Sequence, residues 1–146
     1  ETIHAATDLL AEAKLSPELR NEALYYRAKA YAKQKADKKA LEDYRELAKD
    51  TRNSYGAEAK YQVAQSLYDA KEYAAAEKEL LNYIEQSTPH AYWLARSFVL
   101  LSDVYHATGK DLDARQYLLS LQQNYQGNDD IQSMIESRLH KLKVEN

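Results

Sequence analysis

The chain has 146 residues, with 20 Lys+Arg against 23 Asp+Glu for a net charge of −3, and it contains no cysteine. That composition excludes a disulfide framework, a thiol nucleophile and a cysteine-based zinc site, and it speaks against the basic face that nucleic-acid binding needs. Three Gly and two Pro are too few for a turn-rich β protein, while the good helix formers dominate, so an all-α fold is expected.

In chain order, residues 3–13 (IHAATDLLAEA) read as the second helix of a truncated repeat or as an N-terminal cap. Ser16–Pro17–Glu18 is an N-cap followed by Pro at the first helical position, opening a helix to about Lys35. A second helix follows over about Lys38–Asp50, and Arg52–Gly56 contains the next break. Helices are then expected at about Ala57–Ala70 and Tyr73–Gln86, closed by Ser87–Thr88–Pro89 because Pro cannot continue a helix. The pattern resumes at about Ala91–Ala107, turns at Thr108–Gly109–Lys110 and continues over Leu112–Asn124. Gln126–Gly127–Asn128 signals a C-cap, and a last amphipathic helix spans about Asp130–Leu142. No apolar run reaches the length of about 18 residues that a membrane span needs. The chain starts at Glu1 without a signal-type leader, as a mature or excised fragment would.

Three of these hairpins repeat. Ala28, Tyr31, Ala40, Tyr44 and Leu47 align with Ala64, Leu67, Ala76, Leu80 and Tyr83, all 36 residues on. Ser102, Tyr105, Ala114, Leu118 and Leu121 take the same places 38 residues later. Small residues at two fixed points let paired helices cross closely, and hairpins that cannot bury their apolar face alone must stack. The whole chain reads as one domain: 1–15 as cap, repeats at 16–53, 54–89 and 90–127, and a capping helix at 128–146.

Period, paired small residues and flanking large ones resemble tetratricopeptide repeats, over about residues 18–126. The segments YQVAQSLYDAKEYAAAEKEL and FVLLSDVYHATGKDLDARQYL carry the likeness best. The first copy departs with Arg27 where the family has leucine, and the spacings of 36 and 38 exceed the usual repeat of about 34. The resemblance implies a right-handed α-solenoid acting as a non-catalytic protein-binding scaffold, with no cofactor and no metal. More narrowly, the tyrosine and alanine spacing is similar to repeats of bacterial cell-envelope proteins of the Tol–Pal and outer-membrane-assembly kind. That implies a periplasmic location, with the cytoplasm as the alternative.

In such proteins the first helix of each pair lines a concave groove. Carried onto this chain, that face comprises Glu22, Tyr25, Lys29 and Lys33, then Glu58, Tyr61, Gln65, Tyr68 and Asp69, then Arg96, Val99, Asp103 and His106. The family's basic-and-amide clamp for a C-terminal carboxylate is absent, since its places hold Tyr25, Lys29, Tyr61 and Gln65. Tyr25, Tyr61 and Tyr68 are the expected anchors for a peptide or partner segment, and replacing Tyr61 and Tyr68 by Ala is expected to leave helicity and melting nearly unchanged while weakening partner capture. Tyr31, Tyr44, Tyr73, Tyr83, Tyr105 and Tyr117 are read as packing, and Tyr92–Trp93 as a helix-entry staple. Asp103 and His106 are expected to meet as an i, i+3 surface contact, and the cluster Lys33, Lys35, Lys38, Lys39 as a solvated turn. The four histidines are too scattered for a metal site. Two other functions compete with a peptide groove. Self-association or docking within a longer chain is favoured if Ile3, Leu9 and Leu10 lie uncapped; helical-repeat RNA binding is opposed by the acidic balance.

Overall fold

A computed structural model describes residues 2–12 and 14–142, and among them it contains eight helices and no strand. They are α1 (Thr2–Leu10), α2 (Pro17–Lys33), α3 (Asp37–Leu47), α4 (Ser54–Asp69), α5 (Tyr73–Glu85), α6 (Ala91–Ala107), α7 (Asp111–Asn124) and α8 (Ile131–Leu142). The all-α expectation holds, and most helix ends fall within a few residues of those read from the sequence. The expected end of the first helix, Ala13, lies outside the described residues, as does the tail 143–146.

Local chemistry accounts for the boundaries. Ser16 accepts a hydrogen bond from the Leu19 N–H, and Pro17 fills the first turn of α2 where its missing N–H costs nothing. Asn53 caps α4 by accepting from the Gly56 N–H at 2.9 Å. Gly56 therefore lies inside α4 rather than in the break before it. Its missing side chain has a second use, because a Cβ there would run into the Asp50 and Leu47 carbonyl oxygens at the end of α3.

The three turns within the hairpins are one structure built three times. Lys35 (φ 62°), Lys71 (φ 63°) and Gly109 (φ 78°) occupy the left-handed region. The next residue of each, Ala36, Glu72 and Lys110, donates its N–H back to the carbonyls of Tyr31, Leu67 and Tyr105 at 2.8, 2.9 and 2.7 Å. This is the Schellman helix ending. Only the third copy uses glycine, so the sequence marks only one of the three.

Packing runs along the chain. Each helix contacts the next, and in addition α2 meets α4, α4 meets α6 and α6 meets α8. Among the described residues α3, α5 and α7 do not pack closely on one another, although Arg45 of α3 pairs with Glu79 of α5 at 3.8 Å. The six small repeat positions, Ala28, Ala64, Ser102, Ala40, Ala76 and Ala114, are all buried, where they let helices approach closely. One core cluster joins α2, α3 and α4 through Leu24, Tyr44, Leu47 and Val63; a larger one joins α4 to α8 around Leu80, Leu101, Leu118 and Ile131. Helix α4 divides them, giving Ala59 and Val63 to the first and Tyr61 and Ala64 to the second. Ile3, Leu9 and Leu10 are half-buried, and Leu10 packs against the first cluster, so α1 does not leave them uncapped.

Candidate functional site

The side chains between successive members of the series α2, α4, α6, α8 form three seams. At the first, Glu58 of α4 accepts from the Tyr25 hydroxyl and pairs with Lys29, both at 2.8 Å. The Lys29 ammonium also sits 5.1 Å above the Tyr25 ring, and Tyr25 packs on Tyr55 at 4.7 Å. Burial works against the Lys29 charge, but Glu58 outweighs it and raises the lysine pKa above its ordinary value. At the third seam Arg138 of α8 donates twice to Asp103 of α6, at 2.8 and 3.1 Å.

The middle seam is built differently. Arg96 of α6 lies 4.8 Å over the Tyr61 ring and 5.8 Å from both Tyr92 and Trp93. It donates to the Tyr61 hydroxyl at 2.9 Å and to the Tyr92 hydroxyl at 3.0 Å. Those hydroxyls pass their own protons outward, Tyr61 to Gln65 at 2.8 Å and Tyr92 to Asp130 at 3.0 Å. Burial raises the Tyr61 pKa, opposed by attraction from Arg96.

The residues read as one face are thus distributed among several roles. Glu22, Lys29, Lys33, Asp69 and His106 are exposed; Tyr25, Gln65, Tyr68, Arg96 and Asp103 are half-buried. Glu58 (7 % exposed), Tyr61 (6 %) and Val99 (2 %) are buried, which corrects the reading of them as open groove positions. The physical reason is the double coverage of α4 and α6, each packed on hairpins before and after it. Asp103 does not meet His106, because Arg138 takes its carboxylate and the His106 ring lies 2.9 Å from Asp111 instead. Gln65 and Asp69 open onto a cleft of about 430 Å³ between the first hairpin and α4, beside Asp37, Tyr44 and Gln62. Tyr68, Asp103 and His106 line a separate cleft of about 280 Å³ with Arg138 and Lys141. Tyr61 and Tyr68 are therefore not a matched pair of anchors.

Sequence reasoning missed Arg138 and Tyr26, and read Tyr92 and Trp93 as a helix-entry staple rather than as the frame of Arg96. Among the described residues the exposed large apolar side chains are Leu19, Tyr26 and Leu112. Leu19 and Tyr26 recur at i and i+7 beside Glu22 on α2, a spacing that was available as a signal. Arg138 carried no such signal, since its partner is 35 residues away on another helix.

Among the described residues no group of three His, Asp or Glu side chains is placed to hold a metal ion. No described helix is long and apolar enough to cross a membrane. No protein-family model, curated protein or solved structure matches the chain.

Proposed function

We propose that this chain is a tetratricopeptide-type right-handed solenoid and acts as a non-catalytic interaction scaffold, holding a partner segment along the face of α2, α4, α6 and α8. The observation that carries the reading is the asymmetry of the packing: α2, α4, α6 and α8 pack closely in series, while α3 and α5 are linked through the Arg45–Glu79 ion pair at 3.8 Å without close helix packing. A stack drawn together on one side curves toward that side, which suits a groove for an extended peptide or a partner helix. Tyr25, Tyr68 and Arg96 beside Glu22 and Lys33 supply the mix of rings and charge that interfaces favour.

Hydrogen exchange in the presence of a peptide selected from a random display library tests this. Protection confined to α2, α4, α6 and α8 supports the groove; protection of α3, α5 and α7 instead, or no selectable peptide, contradicts it. Sedimentation of the free chain separates the rival reading, because concentration-dependent mass without ligand favours an architectural, self-associating role.

A further inference from the structure

The three seams offer an internal comparison. At the first, a cation meets a carboxylate, Lys29 with Glu58; at the third, Arg138 meets Asp103. The middle seam has the cation, Arg96, and only tyrosine hydroxyls facing it. Among the described residues no carboxylate comes within ion-pair distance of Arg96, and Asp130 reaches only the far side of the Tyr92 hydroxyl. A guanidinium carries five N–H donors in a planar fork, and two are used here, so three have no protein acceptor among the described residues.

The seat is also held in place. Three rings surround the guanidinium, and both hydroxyls are turned by Gln65 and Asp130 so that their lone pairs face it. A half-buried, ring-framed fork with unused donors is preorganised for a planar anion. One cation with Asp130 nearby suits a single negative charge better than the double charge of a phosphate.

We propose that Arg96, framed by Tyr61, Tyr92 and Trp93, receives an Asp or Glu side chain from the partner segment. The inference rests on the interaction-face reading above and names the chemistry of its central contact. The partner's carboxylate completes the row of cation–carboxylate pairs that the chain itself closes at the outer two seams.

Trp93 is the chain's only tryptophan and lies beside Arg96, so its emission reports on this seat without a label. Peptides are selected on the whole chain from a display library lacking Trp, then synthesised with each Asp or Glu replaced in turn by its amide. One such replacement is expected to weaken binding about tenfold or more, as loss of a charge-assisted pair does. Arg96→Gln is expected to weaken the parent peptide equally and not to weaken the amide peptide further, while Arg96→Lys recovers part of the loss. Changing the peptide leaves the protein intact, so the result stands even where Arg96→Gln loses stability. If a peptide protects the α2–α4–α6–α8 face but ignores both changes, the carboxylate inference falls and the groove reading survives. If a phosphoserine twin binds more tightly than the acidic peptide, the commitment to a carboxylate falls. If no selected peptide protects that face, both readings fall together.

Discussion

Arg27 of α2 grips Asp43 of α3 with two hydrogen bonds, 2.8 and 2.7 Å long, while the Asp43 residue is only 5 % exposed. A third donor of the same guanidinium reaches Thr7 of α1 at 3.2 Å. Arg27, which stands where the tetratricopeptide pattern resembled by the sequence has leucine, is thus matched by a carboxylate in the facing helix. Breaking one side of a buried pair leaves an uncompensated charge, whereas replacing both by apolar residues does not. Asp43→Leu is expected to cost about 2–4 kcal/mol, discounted for the part-exposed arginine, and Arg27→Leu a similar amount. The double change Arg27→Leu/Asp43→Leu should cost less than either alone. Urea denaturation of the four proteins decides; a double mutant that loses as much as the two singles together would mean that the two side chains are not coupled.

Lys35 and Lys71 hold the backbone conformation that Gly109 holds in the third hairpin. A side chain in the left-handed region costs about 1–2 kcal/mol, and glycine removes that cost at some loss of unfolded-state rigidity. Lys71→Gly is expected to raise the melting temperature by about 2–4 °C, for a net gain of about 1 kcal/mol. Gly109→Ala should lower it by a comparable amount, although nothing lies within 4 Å of a Cβ built there. Calorimetry that found no gain at Lys71 would mean the unfolded chain absorbs the difference.

These turns also show what was legible in advance. Helix positions were readable because each hairpin repeats small and large residues at helical spacing, and Ser16–Pro17 and Pro89 punctuate the ends. The site was only half readable. Spacing places Tyr61, Gln65 and Tyr68 on one helix side, but it does not say what the following helix lays against them. Trp93 and Arg96 of α6 cover Tyr61, and Arg138 of α8 takes Asp103 from His106. The two hydrogen-bonded pairings span 35 residues, and all of these contacts depend on the angle between helices, which no local pattern encodes.

Gly56 should behave oppositely to an ordinary helical glycine. Replacing glycine by alanine inside a helix gains about 1 kcal/mol from propensity alone. Here the new methyl would meet the backbone carbonyl of Asp50, which cannot swing aside as a flexible side chain would. Gly56→Ala is expected to destabilise by about 1–3 kcal/mol through overpacking. A melting temperature equal to or above that of the parent chain would show that α3 and α4 can separate freely.

Alkali should unfold this protein more sharply than mild acid. Burial raises the phenol pKa of Tyr25, Tyr44, Tyr61, Tyr68, Tyr83 and Tyr105, and that of Tyr125 is pushed up to about 12 from 10.0. A raised pKa means that the folded state holds the proton more tightly than the unfolded one. The associated stability is fully present below pH 10 and is lost as pH climbs from there toward 12. Lys29, also raised, adds to the loss in the same direction. On the acid side Glu46 and Asp50 are held low by Lys49 and Arg52, but these pairs are exposed and contribute little. Tyrosinate absorbance and helical circular dichroism are expected to change together above pH 10. Phenols that ionise fully while the helices persist would contradict the coupling.

Tyr61 and Tyr83 provide the sharpest contrast between a ring used for its hydroxyl and one used for its bulk. Tyr83 is fully buried, and its hydroxyl, beside Thr88, makes no hydrogen bond of normal geometry. The Tyr61 hydroxyl donates to Gln65 and accepts from Arg96. Removing an unsatisfied buried hydroxyl is neutral or favourable, whereas removing a satisfied one strands its partners. Tyr83→Phe is therefore expected to change stability by less than about 1 kcal/mol, and Tyr61→Phe to cost about 1–3 kcal/mol. Truncation reverses the ranking, because Tyr83→Ala empties a more enclosed site; both alanine variants should cost about 3–5 kcal/mol, Tyr83 the more. It follows that Tyr61→Ala with Tyr68→Ala lowers the melting temperature substantially, contrary to what a pair of surface anchors would do. Unchanged melting in that double mutant would return Tyr61 to the open face and remove the frame proposed around Arg96.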